Sequence, residues 1–178
     1  PDLDSGWGVR TLAASMATYN PMSYHNGSVW PHDNSLIAAG LGRYGEMGGL
    51  ERIASALFTA AEHLPDHRLP ELYCGFPRNE DAAADGPIQY PVSCSPQAWA
   101  AGATALIIRA MLGLEADPGR GTLRVAPALP DWLSLVRIDG LEALGRRFDL
   151  EVARDGAGYW VQSDGPVELE ESGRSRES

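Results

Sequence analysis

Apolar residues recur at helical spacing in four stretches of the chain, and each stretch is followed by a loop rich in aromatic and polar side chains. The first predicted helix places Val9, Leu12, Ala13 and Met16 on one face. The second starts after Pro31, with Asp33 able to cap it, aligns Leu36, Ile37, Gly40, Leu41 and Tyr44, and stops at Gly45. The third, from about Gly49 to His63, lines up Leu50, Ile53, Ala54, Leu57 and Leu64. The fourth has Ser95 as N-cap and Pro96 in its first turn, with Trp99, Ala103, Leu106, Ile107, Ala110 and Leu114 on one stripe.

After Gly113 the period changes from helical to alternating. Thr122 to Val125, Leu135 to Ile138, Phe148 to Val152 and Tyr159 to Gln162 read as short strands between Gly, Pro and Asp turns. The last stretch, Glu168 to Ser178, is polar and acidic and reads as a frayed tail. Helix, loop and helix at even spacing suggest a bundle or a toroid of antiparallel helices.

Composition narrows the partners. The chain of 178 residues suits one domain, or one module with a small appendage, and can bury a real core. Its net charge is −10 and it contains no lysine, so no polybasic segment exists to hold nucleic acid or anionic lipid. No apolar run reaches the roughly 20 residues that span a bilayer, and Pro1-Asp2-Leu3-Asp4 is acidic where a signal peptide is basic. A cytoplasmic protein is expected, or one whose leader is absent from this chain. Cys74 and Cys94, 20 positions apart, fit neither a zinc motif nor a disulfide framework; free buried thiols are expected, with a bridge still open.

Two loops carry the candidate chemistry. Residues 19–34 concentrate Tyr24, His25, Asn26, Trp30, His32 and Asp33 in one segment, an inventory beyond what a connector needs. Sugars present hydroxyls for polar partners and flat C–H faces for aromatic rings, so these six residues suit a saccharide subsite. Asp33 can equally cap the following helix, and Tyr24 and Trp30 can equally be core. A metal site at His25, His32 and Asp33 fails on ligand spacing, and no cofactor is implied.

The second loop, Leu64 to Ser95, is long for a compact domain. It holds Glu71 among Leu69, Pro70, Leu72, Tyr73 and Phe76, surroundings that suit a carboxyl for acid–base work near neutrality. An ordinary salt-bridged Glu71 is the alternative. Glu80, Asp81 and Asp85 read as solvated surface. Inversion at a glycosidic bond needs two carboxyl groups, and only Glu71 is a good candidate, with Asp33 in second place.

The string Tyr-His-Asn-Gly-Ser-Val-Trp-Pro-His-Asp-Asn (24–34) follows Gly6-Trp7-Gly8-Val9-Arg10-Thr11. It precedes Pro70-Glu71-Leu72-Tyr73-Cys74-Gly75 and Cys94-Ser95-Pro96-Gln97-Ala98-Trp99. Together these motifs, over about residues 5–140, resemble the C-terminal half of bacterial amylo-α-1,6-glucosidase or glycogen-debranching-type proteins, which belong with the glucoamylase-like and trehalase-like six-hairpin glycosidases. The resemblance implies a mainly α fold with residues 1–115 as part of an (α/α)6 toroid; the alternating strands give a small β-module over 116–167, and 168–178 remain a polar tail. The resemblance also implies an inverting glucosidase with Glu71 as general base, and Tyr24, His25, Asn26, Trp30, His32, Asp33, Tyr73, Gln97 and Trp99 around a glucan or oligosaccharide. The family's general acid lies upstream of the matching region, so Asp33 is read as a contact or cap. Exposed helix faces are then expected to be covered by a missing part of the barrel or by self-association.

Overall fold

The computed structural model describes residues 2–79, 85–156 and 158–170. They form three α-helices, a single 3-10 turn and six strands in two three-stranded sheets. This overturns the expectation of a mainly α toroid: helix and strand contribute comparably, and the segment expected to open the helical series is not helical. The chain divides into two compact units, residues 1–107 and 108–178. Among the described residues no helix is long and apolar enough to cross a membrane.

In the first unit, residues 9–16 share an apolar face on paper, yet their backbone is spent elsewhere. The side chain of Asn34 takes both backbone groups of Val9: Val9 N–H donates to Oδ1 at 2.7 Å, and Nδ2 donates to the Val9 carbonyl at 2.9 Å. Arg10 is buried and donates to the carbonyls of Gly75 at 2.7 Å through Nε and of Asp4 at 2.7 Å, with its guanidinium over the Tyr19 ring. Backbone groups held by partners so far along the chain cannot close an i→i−4 helical ladder.

Antiparallel bridges stitch four segments side by side, Arg10 to Val29, Val29 to Tyr73 and Tyr73 to Gln89. Val29 and Tyr73 exchange backbone hydrogen bonds of 2.9 and 3.1 Å and are fully buried. Nearby, Gly75 lies so close to Gly27 that a β-carbon on it would stand 1.7 Å from the Gly27 carbonyl oxygen. Only glycine permits that approach, which brings the Trp30 loop against the Glu71 loop.

Helix α1 (Pro31–Arg43) begins with Pro31 at its first position and Trp30 at the N-cap, without a side-chain cap bond. Asp33 is therefore in the first turn, where a carboxylate suits the helix dipole, and is not the cap. Helix α2 (Met47–Glu62) packs against α1 and buries Leu50, Ile53, Ala54, Leu57 and Ala60, the stripe its periodicity predicts. The 3-10 turn Pro65–His67 follows.

Helix α3 (Ala98–Met111) starts later than Ser95 and Pro96 suggest. Gln97 caps it: its carbonyl accepts from Ala101 N–H at 3.0 Å and its side-chain oxygen from Ala98 N–H at 3.0 Å. Ala100, Ala103, Ile107 and Met111 are its buried residues, so Trp99 stands off the buried stripe.

In the second unit, β1 (Glu115–Asp117) pairs antiparallel with β2 (Thr122–Val125). The β2 strand pairs in parallel with β6 (Val167–Leu169). Strands β3 (Leu135–Ala143), β4 (Arg146–Asp155) and β5 (Gly158–Ser163) form an antiparallel meander. Period-2 alternation puts Phe148, Leu150 and Val152 of β4 into the core, with Leu123, Val125 and Leu129 also buried. Glu168 and Leu169, expected in a tail, belong to β6; residues 171–178 lie outside the described residues.

Candidate functional site

The stitched loops gather an aromatic cluster. Trp30 is its hub: 7% exposed, with Nε1 donating to Ser28 Oγ at 3.0 Å and to the Tyr24 carbonyl at 3.2 Å. The Tyr24 ring meets it edge-on at 4.8 Å, His25 stacks on it at 5.9 Å and Trp99 approaches edge-on at 6.0 Å. His32 stacks on Trp99 at 5.3 Å, and Tyr90 meets Tyr24 at 5.6 Å. Trp30 is thus the core residue of the cluster. Trp99, by contrast, is 44% exposed.

Glu71 is 7% exposed and has no cationic partner among the described residues. The Tyr24 hydroxyl donates to Oε1 at 2.8 Å, and Cys94 N–H donates to Oε2 at 3.3 Å. Glu71 N–H donates in turn to the Cys94 carbonyl at 2.9 Å, so the two ends of the long loop clamp the carboxylate. The hydrogen bond from its hydroxyl to the Glu71 carboxylate, then burial and the adjacent negative charge, push Tyr24 up to about 12. Tyr24 therefore stays a protonated donor across the physiological range.

The remaining predicted residues divide. Tyr73 is fully buried and its hydroxyl donates to the Trp7 carbonyl at 2.5 Å, with burial raising its pKa; it belongs to the core. Gln97 uses its side-chain oxygen on the start of α3. Asn26 is exposed at a turn, its carbonyl accepting from Asn20 N–H at 2.8 Å. The Asp33 side chain is exposed and makes no hydrogen bond or ion pair among the described residues, so it does not join the cluster. Cys74 and Cys94 are both free, and Cys94 is exposed where burial was expected. Asp85 is exposed, as expected of solvated surface; Glu80 and Asp81 lie outside the described residues.

Sequence reasoning missed Tyr90, Ser28 and the backbone of Cys94. Their only local signal is membership of the same two loops. An apolar cavity of ≈ 60 Å³ bordered by Leu57, Phe58, Ala61, His67, Leu69 and Ile107 shares no residue with the cluster. It is far too small for a sugar. The cluster is exposed at His25 and Trp99, and Tyr24 joins it to the carboxylate of Glu71. No protein-family model matches the chain, and no curated protein matches it.

Proposed function

We propose that the cluster around Trp99 and Glu71 is a saccharide subsite, and that Glu71 is the general base of an inverting α-glucosidase reaction on glycogen-like or maltooligosaccharide substrates. The observation that carries this reading is a buried carboxylate without a cationic partner among the described residues, oriented by a tyrosine hydroxyl and a backbone N–H beside an exposed tryptophan. The resemblance of residues 24–34, 70–75 and 94–99 to debranching-type glucosidases supports it independently.

A carboxylate offers about four acceptor positions. Two are used on Glu71, leaving lone pairs for a water. In the proposed reaction Glu71 takes a proton from that water, whose oxygen bonds the anomeric carbon on the face opposite the leaving group. The glycosidic C–O bond breaks, and the departing oxygen takes a proton from an acid. We assign that acid to a group outside this chain, as the resemblance implies; among the described residues Glu71 is the one carboxylate hydrogen-bonded to the cluster. A cytoplasmic setting is part of the same proposal, in keeping with two free thiols.

The openness of the surface at Trp99 favours a second reading, a saccharide-binding module without catalysis. Titration calorimetry with maltose tests what both readings share. Millimolar or tighter binding is expected, weakened about tenfold in Trp99→Ala and largely kept in Glu71→Gln. Absence of heat with wild type, or equal binding by Trp99→Ala, would contradict both.

A further inference from the structure

Helix α1 is inside out. The residues it turns toward its own unit include Asn34 and Ser35, both fully buried, whereas Leu36 is 53% exposed, Ile37 40% and Tyr44 87%. At 100° per residue, Asp33, Leu36, Ile37, Gly40, Arg43 and Tyr44 fall on one outward stripe. Soluble proteins seldom leave an ordered apolar stripe in water without a partner for it.

We propose that this stripe is a self-association surface, on which a second copy of the chain lays its own α1 in the antiparallel sense. The charges identify the occupant. Asp33 stands at the start of the stripe and Arg43 in its last helical turn, about 15 Å apart along the helix, and neither forms an ion pair among the described residues. Leu36 lies three residues inside Asp33, and Gly40 lies three residues inside Arg43. An antiparallel crossing therefore sets Leu36 of each copy over Gly40 of the other and brings Asp33 beside Arg43 at both ends, as a two-fold interface requires.

Gly40 supplies the flat spot, since a β-carbon there would meet nothing within 4 Å. A basic partner would leave Arg43 facing like charge, and an acidic one would do the same to Asp33; a second copy satisfies both. The chain's net charge of −10 opposes association at long range, but salt screens that repulsion beyond about 8 Å, while the stripe itself is neutral. The inference is independent of the saccharide reading.

Sedimentation velocity on the full chain, from roughly 1 μM to several hundred μM, tests it. A concentration-dependent dimer is expected. Gly40→Trp should raise the dimer Kd at least about tenfold while circular dichroism and thermal unfolding stay near wild type, because a β-carbon at this position meets nothing within 4 Å and the stripe faces outward. Asp33→Arg and Arg43→Asp should each weaken the dimer by roughly tenfold, and the double reversal should restore it to within about threefold. A monomer at every concentration, a dimer indifferent to Gly40→Trp, or a double reversal without recovery would overturn the proposal.

Discussion

The hydroxyl of Tyr24 donates to Oε1 of Glu71 at 2.8 Å, joining two loops 47 residues apart in the chain. The bond orients a buried carboxylate without neutralising it. An arginine or lysine there would weaken the carboxylate as a base, whereas a neutral donor holds its position and leaves its charge. Replacing Tyr24 by Phe should therefore lower turnover by about ten- to hundredfold in any active complex of this chain, with KM little changed. Steady-state kinetics on maltooligosaccharide give the answer, and a purely proportional rise in KM would speak against positioning.

The same bond has a signature in alkali. The value for Tyr24 rises from 10.0 to about 12 on folding, so its stabilising contribution is complete below pH 10 and is lost as the pH climbs toward 12. Urea unfolding of wild type and Tyr24→Phe should differ most below pH 10, and the gap should close on approach to pH 12. Tyr73 shifts in the same direction through burial, but it is common to both proteins and cancels in the comparison. A constant gap across this window would show that the hydroxyl makes no such contribution.

Gly75 is the contact point between the two site loops. Gly75→Ala would force its β-carbon to within 1.7 Å of the Gly27 carbonyl oxygen, so backbone must move. The expected cost is about 2–4 kcal/mol. Chemical denaturation measures it, and a loss below about 0.5 kcal/mol would mean that the loops can separate freely.

Asn34 fastens the chain near Val9 to the start of α1. Its Nδ2 also donates to the Trp30 carbonyl at 2.9 Å, so Asn34→Ala removes three hydrogen bonds and strands the Val9 N–H. About 2–4 kcal/mol of stability should be lost. Near-UV circular dichroism should also report loosening around Trp30. Ser35→Ala, which removes one hydroxyl bond to the His32 carbonyl, should cost about 1 kcal/mol.

What could be read along the chain followed the range of the forces involved. Helix α2 was legible because its apolar period runs unbroken from Leu50 to Leu57. The strands after Gly113 were legible because alternation alone defines a half-buried strand. Residues 9–16 misled because the partners of Val9 and Arg10, Asn34 and Gly75, lie 25 and 65 positions away, beyond any local window. Of the predicted α1 stripe Leu36, Ile37, Gly40, Leu41 and Tyr44, Leu36, Ile37 and Tyr44 are exposed while Leu41 lies against Gly49 of α2, because periodicity says which residues share a face, not which way that face looks. At the site, Glu71 announced itself as an acid among apolar neighbours. Its partners Tyr24 and Cys94 depend on loop closure, which composition does not encode.

The central claim is that Glu71 activates water while the protonating acid lies elsewhere, and α-glucosyl fluoride tests it directly. Fluoride departs without needing a proton, so the base alone suffices for this substrate. The chain should release fluoride above the buffer rate and yield β-glucose, visible by proton NMR, while leaving maltose intact. Glu71→Gln should reduce that rate by about a hundredfold or more. Wild-type protein that binds maltose yet releases no fluoride, or an undiminished rate in Glu71→Gln, would contradict the assignment.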